Sequence, residues 1–484
     1  MENNNFDMQQ WAKDHLPSEE WEQLLVAQSQ PLPISLRINQ LKDINGNKID
    51  QMSNRYGWAT RPIPFTSHGY WIDDFKTLPS LTIEHKMGEF YIQEAASMLP
   101  PELFDFLKMD GQLILDMAAA PGGKTTHLLD RVHDKNVVIA NDSSRSRLDA
   151  LRIVIENWGA ANQAITNYHG EWFGKYLPEI FDYVLVDAPC SMQGLRTTDS
   201  HPARSITSGE IETLANRQVN LLESALKTVK PGGQIVYATC TLTPQENEQV
   251  LDTVLRKHRH AIHIQNAKQI LPESVQGLTK IGKKELSEEI KNALRLWPHT
   301  IGTAGFFCAK LIKTESLQRS ENQWNSGKKT AFTGKPIPNS KWAHVTNCLE
   351  NQFGIKINVI LTTQNLVPVE IREKAYIIPR MIIERLQEIS FYSLGMYLGK
   401  DTPKGWLPSH EFVSRFGHLF KKNIYVLENK YLEQWEKGGD IRGISSSEIP
   451  SGEFVLVKDT LGRNLGRGKI LSNRLRNMLP TRLF

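Results

Sequence analysis

The sequence predicts an α/β protein built on a doubly wound parallel sheet, with smaller modules before and after it. Three observations carry this. Between Leu113 and Lys257, short apolar runs alternate with amphipathic helical patterns at the spacing of βαβ units. Several of those runs end on polar or reactive residues, as strands do where a parallel sheet turns its carboxyl edge toward a ligand. The first run also leads into a loop of small residues, Met117 to Gly123, that opens a helix near Lys124.

In chain order, Leu113-Ile114-Leu115 is a strand ending at Asp116. Val137-Val138-Ile139-Ala140 is the next strand; it ends at Asn141-Asp142 and precedes a helix through Leu148, Leu151 and Ile155. Strands follow near 164–166 and 183–186, then a helix over 210–229, a strand over 235–239 and a helix over 245–257. Gly305 to Ile312 is a late strand, expected to run antiparallel and close the sheet edge.

Residues 1–100 read as a polar, helix-rich lead-in. Pro17-Ser18-Glu19-Glu20 starts a helix carrying Trp21, Leu24 and Leu25. An extended stretch over 31–39 includes Arg37, a possible phosphate contact. Phe90 to Ala95 is expected to lead a helix that Pro100-Pro101 ends. Residues 101–313 are expected to form the domain that holds this sheet. Residues 314–340, rich in Ser, Asn, Gln, Lys and Gly, read as a linker. Beyond it, short strands near 357–362, 376–378 and 453–458 with Gly-rich turns suggest a small domain over 341–388 and a second α+β or β-barrel module over 389–484.

The totals narrow the function classes. The chain has 484 residues, 40% of them apolar, which is more than one compact core holds. There is no apolar run of roughly 18 residues, so no membrane partner is expected. The start, Met1-Glu2-Asn3-Asn4-Asn5, lacks the pattern of a secretory signal. The four cysteines, Cys190, Cys240, Cys308 and Cys348, include no CxxC pair. That usage argues for the reducing cytoplasm, without a disulfide framework or a metal site. The net charge of +4 hides an asymmetry. Residues 1–313 carry 32 basic and 37 acidic side chains (net −5), and residues 314–484 carry 25 and 16 (net +9). After Asp459 there is no acid, while Arg463, Arg467, Lys469, Arg474, Arg476 and Arg482 remain. Such a block points to a polyanionic partner.

The loop Ala118-Ala119-Ala120-Pro121-Gly122-Gly123-Lys124-Thr125 lets backbone N–H groups approach a ligand at a helix N-terminus. A phosphate-binding P-loop needs glycine where Ala118 stands, which counts against a nucleotide triphosphatase. S-adenosylmethionine fits better. It carries no phosphates, and its ribose hydroxyls take a carboxylate at the end of the second strand. Asp142, 26 residues after Asp116, stands there, near the spacing of about 20 in dinucleotide sites. Asp142 also suits a helix N-cap.

Val184-Leu185-Val186 delivers Asp187 and Cys190 to the carboxyl edge, with Pro189 stopping the ladder. The strand over 235–239 ends at Cys240. Two thiols at two strand ends suggest chemistry rather than packing. Cytosine C5 is too weak a nucleophile to accept a methyl group unaided. A thiolate added at C6 makes C4–C5 enamine-like, and an acid such as Asp187 at N3 assists the addition. The adduct must later be broken, which employs a second group. Methylation of an exocyclic amine is the competing reaction, but those enzymes set an aromatic residue where Cys190 stands.

The segments Phe90-Tyr91-Ile92-Gln93-Glu94, Asp116 to Thr125, Ala140-Asn141-Asp142, Arg147, Asp187-Ala188-Pro189-Cys190-Ser191, Lys230-Pro231-Gly232-Gly233, Thr239-Cys240-Thr241 and Glu246-Asn247-Glu248 resemble the Nop2/Sun (Fmu) family of RNA cytosine-C5 methyltransferases across residues 20–313. The resemblance implies a Rossmann-like class I methyltransferase sheet with S-adenosylmethionine as cofactor. It makes Cys240 the nucleophile and Cys190 the residue that aids release of the methylated base. Ala118 to Lys124, Asp142, Arg147 and Asp187 would line the cofactor site. The third strand is followed by Asn167-Tyr168-His169-Gly170, with His169 where the family has an aspartate beside adenine, and Arg196-Thr197-Thr198-Asp199 departs from the family's loop after the cysteine turn. The stretches 394–406 and 465–480 resemble the PUA-like RNA-binding module of the family's bacterial methyltransferase F branch, which forms 5-methylcytosine in the decoding region of 16S rRNA, at cytosine 1407. The implied partner is RNA, as 16S rRNA in the small subunit or its precursor, and the expected state is a monomer. The alternatives are another rRNA or tRNA cytosine, or a non-catalytic RNA-binding assembly factor.

Overall fold

The computed structural model describes residues 5–106, 111–196, 205–271, 276–317, 334–444 and 449–483. Apolar, β-branched runs buried on both faces form the central sheet, as parallel strands require. Eight of its nine described strands are β1 (Leu113–Asp116), β2 (Val137–Asn141), β3 (Gln163–Thr166), β4 (Phe181–Asp187), β5 (Val229–Thr239), β6 (Ile262–Gln265), β7 (Phe306–Lys313) and β8 (Ser393–Leu394), in the spatial order 6-7-5-4-1-2-3-8. The ninth, Leu294–Leu296, pairs antiparallel with β7 off this path. Strands β1 to β5 run parallel, and β6, β7 and β8 pair antiparallel to their neighbours. Alternate side chains feed opposite layers. Leu113 and Leu115 pack with Leu221, Leu222 and Ala225, whereas Ile114 and Val138 pack with Leu128, Leu129 and Trp158. These residues come from α1 (Gly123–Arg131), α2 (Leu148–Trp158) and α3 (Ser208–Thr228), and α4 (Glu248–His258) adds Val250, Leu251 and Val254 to the first layer. The chain winds from β1 through β2 to β3, then returns to lay β4 and β5 on the other side of β1. That reversal opens a crevice at the carboxyl ends of β1 and β4.

Several expectations change in three dimensions. β7 is antiparallel but does not close the sheet, because β6 pairs outside it (Ile262 opposite Lys313). At the other end, β8 from the C-terminal half extends the sheet, with Leu394 opposite Ala164. α3 begins at Ser208, where Thr207 and Glu210 form a capping box. α4 begins only at Glu248, because Glu246 and Asn247 are used elsewhere. Phe90–Ile92 is a strand, and Pro100-Pro101 lie in the first turn of the helix Leu99–Glu102, where proline is tolerated. The expected strand at 357–362 is the helix Ile357–Thr363, whose buried Ile357, Ile360 and Leu361 share one helical face despite their β-branched composition. Arg37 is no phosphate contact. Its buried guanidinium pairs with Asp130, donates to Thr126 Oγ1 (2.7 Å), and lies 4.7 Å from the Trp158 ring. Most of the expected linker, and the Thr197-Thr198-Asp199 departure, lie outside the described residues.

Before the central sheet, Ile34–Ile38, Ala59–Pro62, Gly69–Asp74 and Phe90–Ile92 form a four-stranded sheet. After it come two five-stranded sheets. The first includes Lys374–Pro379 and Met396–Thr402, and the second includes Phe454–Asp459 and Asn464–Leu471. No helix among the described residues is long and apolar enough to cross a membrane.

Candidate active site

The loop after β1 is shaped by backbone contacts to its neighbours. Met117 N donates to Leu185 O (2.9 Å) and Ala119 N to Asn141 O (2.7 Å). Asn141 Nδ2 donates to the carbonyls of Met117 and Tyr168 (both 3.0 Å), and its Oδ1 accepts from Thr166 and the Tyr168 N–H. One buried amide therefore ties together the loops after β1, β2 and β3. Gly122 has φ +117°, and a side chain there would meet Val154 Cγ1 at 2.9 Å. Only glycine lets the loop turn onto α2 at this point.

Asp142 Oδ2 accepts from Ala120 N (3.1 Å) and lies 3.5 Å from the Arg147 guanidinium, which also donates to Ala120 O. Its Oδ1 accepts from Ser144 N (2.9 Å), a local turn contact. Asp142 is not the expected helix N-cap, because Ser144 precedes the short 3-10 helix Arg145–Arg147 and Arg147 precedes α2, neither end carrying a side-chain cap. Ala120, Asp142 and Arg147 form one hydrogen-bonded unit at the carboxyl edge. Lys124, at the start of α1, reaches across to Asp187 Oδ2 (2.7 Å). His169 follows β3 on the same edge but is exposed, and its ring makes no hydrogen bond among the described residues. The structure does not draw it into the cluster.

Cys190 and Cys240 converge. β5 lies beside β4 with Ala238 opposite Asp187, so the loops leaving the two strands run side by side. Their Sγ atoms are 3.2 Å apart. A hydrogen bond from Cys190 and the positive charge of Lys124 hold the Cys240 thiol below its ordinary range, against the opposing effects of burial and Asp187. That same bond, with burial, holds the Cys190 thiol well above its own. Cys240 is the readier thiolate.

A second layer fixes these loops. Buried Glu246 accepts from Ser191 N (2.9 Å), Ser191 Oγ, Thr243 Oγ1 (2.6 Å) and Gln218 Nε2 (2.9 Å). Asn247 Nδ2 donates to Thr241 O (2.9 Å), and its Oδ1 accepts from Thr239 Oγ1 (2.6 Å). Gly305 N donates to Gly194 O (2.8 Å), an approach so close that a side chain on either glycine would strike the other's backbone. Glu246 and Asn247 stand in a recognisable sequence motif. Gln218, on the face of α3, carries no sequence signal.

Asp116 was likewise not among the candidate site residues. It accepts from Thr125 Oγ1 (2.6 Å) through Oδ2, while its Oδ1 is buried without a partner among the described residues. Burial pushes this carboxyl up to about 7. An orphaned acceptor, the alanine-lined loop and the Asp142 carboxylate at the end of β2 suit a cationic nucleoside without phosphates. S-adenosylmethionine fits that description.

Residues 106–312 match the sequence model of the family described as 16S rRNA methyltransferase RsmB/F. Residues 7–95 match the N-terminal domain of 16S rRNA methyltransferase RsmF. The ribosomal RNA small subunit methyltransferase F of Shewanella loihica is 34% identical over 472 residues, covering 96% of this chain and 92% of that protein. The chain belongs to the RsmF methyltransferase family. The Erwinia tasmaniensis member of this RsmF family is 32% identical over 98% of the chain and 95% of its own length. A Pyrococcus horikoshii methyltransferase homolog of known structure is 34% identical, with a TM-score of 0.55, over 62% of the chain and 92% of its own. As an RsmF-family methyltransferase the protein uses S-adenosylmethionine.

Proposed function

We propose that the chain methylates C5 of a cytosine in 16S rRNA, in the decoding region of the small subunit, through a covalent bond between Cys240 and the base. The observation that carries this is the 3.2 Å approach of the two sulfurs beside the Lys124–Asp187 pair. Cys240 thiolate adds to C6, forming S–C6 and moving the C5=C6 electron pair to C5, while N3 takes up a proton from solvent and the Asp187 carboxylate accepts the hydrogen bond of the resulting N3–H. S-adenosylmethionine, which Ala118 to Lys124, Asp116 and Asp142 would hold, would supply the electrophilic methyl group for C5. The C5 proton then passes to solvent, the C5–H electron pair restores the C5=C6 double bond, S–C6 breaks with its pair returning to the Cys240 sulfur, and N3 gives its proton back. Cys190, whose thiol stays protonated, is placed to assist that release. The basic residues of 314–484 supply affinity for the phosphate backbone.

The test uses purified small subunits and bisulfite mapping. Cys240→Ala is expected to abolish methylation, and Cys190→Ala to retain RNA as a denaturation-resistant adduct. Methylation by Cys240→Ala, or adducts formed by that variant, would overturn the assignment.

A further inference from the structure

The C-terminal sheets pack against the β3 edge and leave a cleft of about 540 Å³ between themselves and the central sheet. Ala160 and Gln163, at the amino-terminal end of β3, form part of its wall. That is the opposite end of the strands from Cys240. Two half-buried rings line the cleft, Tyr376 and Tyr397, with centroids 5.3 Å apart at 43°. Beside them stands His410, 2% exposed, with neither ring nitrogen partnered among the described residues. Burial keeps it neutral, so it offers one donor and one acceptor. Glu411 is also nearly buried, and desolvation and Glu156 push its carboxyl up to about 7, where it can donate. Gln163 Oε1 is a further buried acceptor without a partner among the described residues. Buried polar atoms are ordinarily satisfied, so the unpartnered atoms of His410 and Gln163 on one cleft mark a place for a polar guest.

The cations give that guest its charge. Arg152, Arg372, Lys374, Arg467 and Arg482 line the cleft against Glu156 and Glu411. Arg152 and Arg482 are partly neutralised by Glu156 (2.7 and 3.2 Å), whereas Arg372 and Lys374 are exposed at the mouth.

We propose that this cleft takes one unstacked nucleotide of a single-stranded RNA segment. Its base would pack on Tyr376 and Tyr397, with its edge on His410 and Glu411 and its phosphates on Arg372 and Lys374. The inference rests on the reading that RNA is the substrate and adds a second contact remote from the chemistry. Aromatic stacking with hydrogen bonds to an exposed base edge is how single-stranded RNA is recognised. A free mononucleotide shares this chemistry. The open mouth, with cations on both sides and the acid-free segment of Arg467 and Arg482 beside it, favours a polymer.

The test irradiates 4-thiouridine-containing single-stranded fragments of 16S rRNA with the full chain, without S-adenosylmethionine, and repeats this with Cys240→Ala. Cross-linked peptides are expected to contain Tyr376 or Tyr397. The double variant Tyr376→Ala/Tyr397→Ala is expected to bind RNA about tenfold more weakly. Lys374→Glu, a change at an exposed residue, is expected to weaken binding and reduce its salt dependence. Cross-links confined to other peptides, or unchanged affinity in both variants, would overturn the inference. So would adenosine monophosphate binding as tightly as the oligonucleotide. Cross-links at the tyrosines without methylation by the wild type would leave the cleft standing and sink the catalytic reading. Methylation without those cross-links would do the reverse.

Discussion

Arg295 and Glu248 form a bidentate ion pair in the interior, with Nε to Oε1 at 2.8 Å and Nη2 to Oε2 at 2.6 Å, neither side chain exposed. Arg295 Nη1 also donates to Leu242 O (2.8 Å), two residues beyond Cys240. The pair props the loop that presents the nucleophile.

Removing one partner strands a buried charge. Arg295→Met is expected to lower stability by about 3–5 kcal/mol, read from denaturant unfolding. The double change Arg295→Met/Glu248→Leu is expected to recover most of that loss, because no lone charge remains. Equal losses in the single and double variants would show that the pair's ionic character is not what matters.

Lys124→Met removes the charge that favours a Cys240 thiolate and leaves Asp187 unopposed beside it. Both effects raise the Cys240 thiol. The acidic limb of the single-turnover rate profile, along which activity rises with pH, is therefore expected to move to higher pH. An unmoved limb with lower amplitude would place Lys124 in cofactor binding alone.

Asp116→Asn tests the orphaned carboxyl. Its pKa rises from 3.8 in the unfolded chain to about 7 in the folded one. Below pH 4 both states are protonated and it costs nothing. Between about 4 and 7 the unfolded state releases its proton first, so stability falls as pH rises, at a limiting slope of about 1.4 kcal/mol per unit. Above 7 the penalty is constant. The stability of Asp116→Asn relative to the wild type is expected to grow from pH 4 to 7 and then level off, measured by thermal unfolding across that range.

Much of the catalytic sheet is legible in the chain because buried parallel strands are written as uninterrupted apolar runs. β1, β2 and β4 begin and end within a few residues of where Leu113, Val137 and Tyr183 place them. The motifs around Cys190 and Cys240 announce reactive residues at strand ends. Composition misled where a β-branched run served one face of a helix, at Ile357–Thr363. It was silent where partners come from afar, as Gln218 does for Glu246.

The sequence by itself determined which residue types stand at each strand's carboxyl end, since local periodicity and proline or glycine punctuation decide where a strand stops. Only the tertiary structure decided which of those ends meet. Cys190 and Cys240, 50 residues apart, come together because β5 pairs beside β4 in a register that sets Ala238 opposite Asp187. Neither that register nor the burial that leaves Asp116 without a second partner is encoded within any short window. Both depend on the whole sheet being assembled and water being excluded from it.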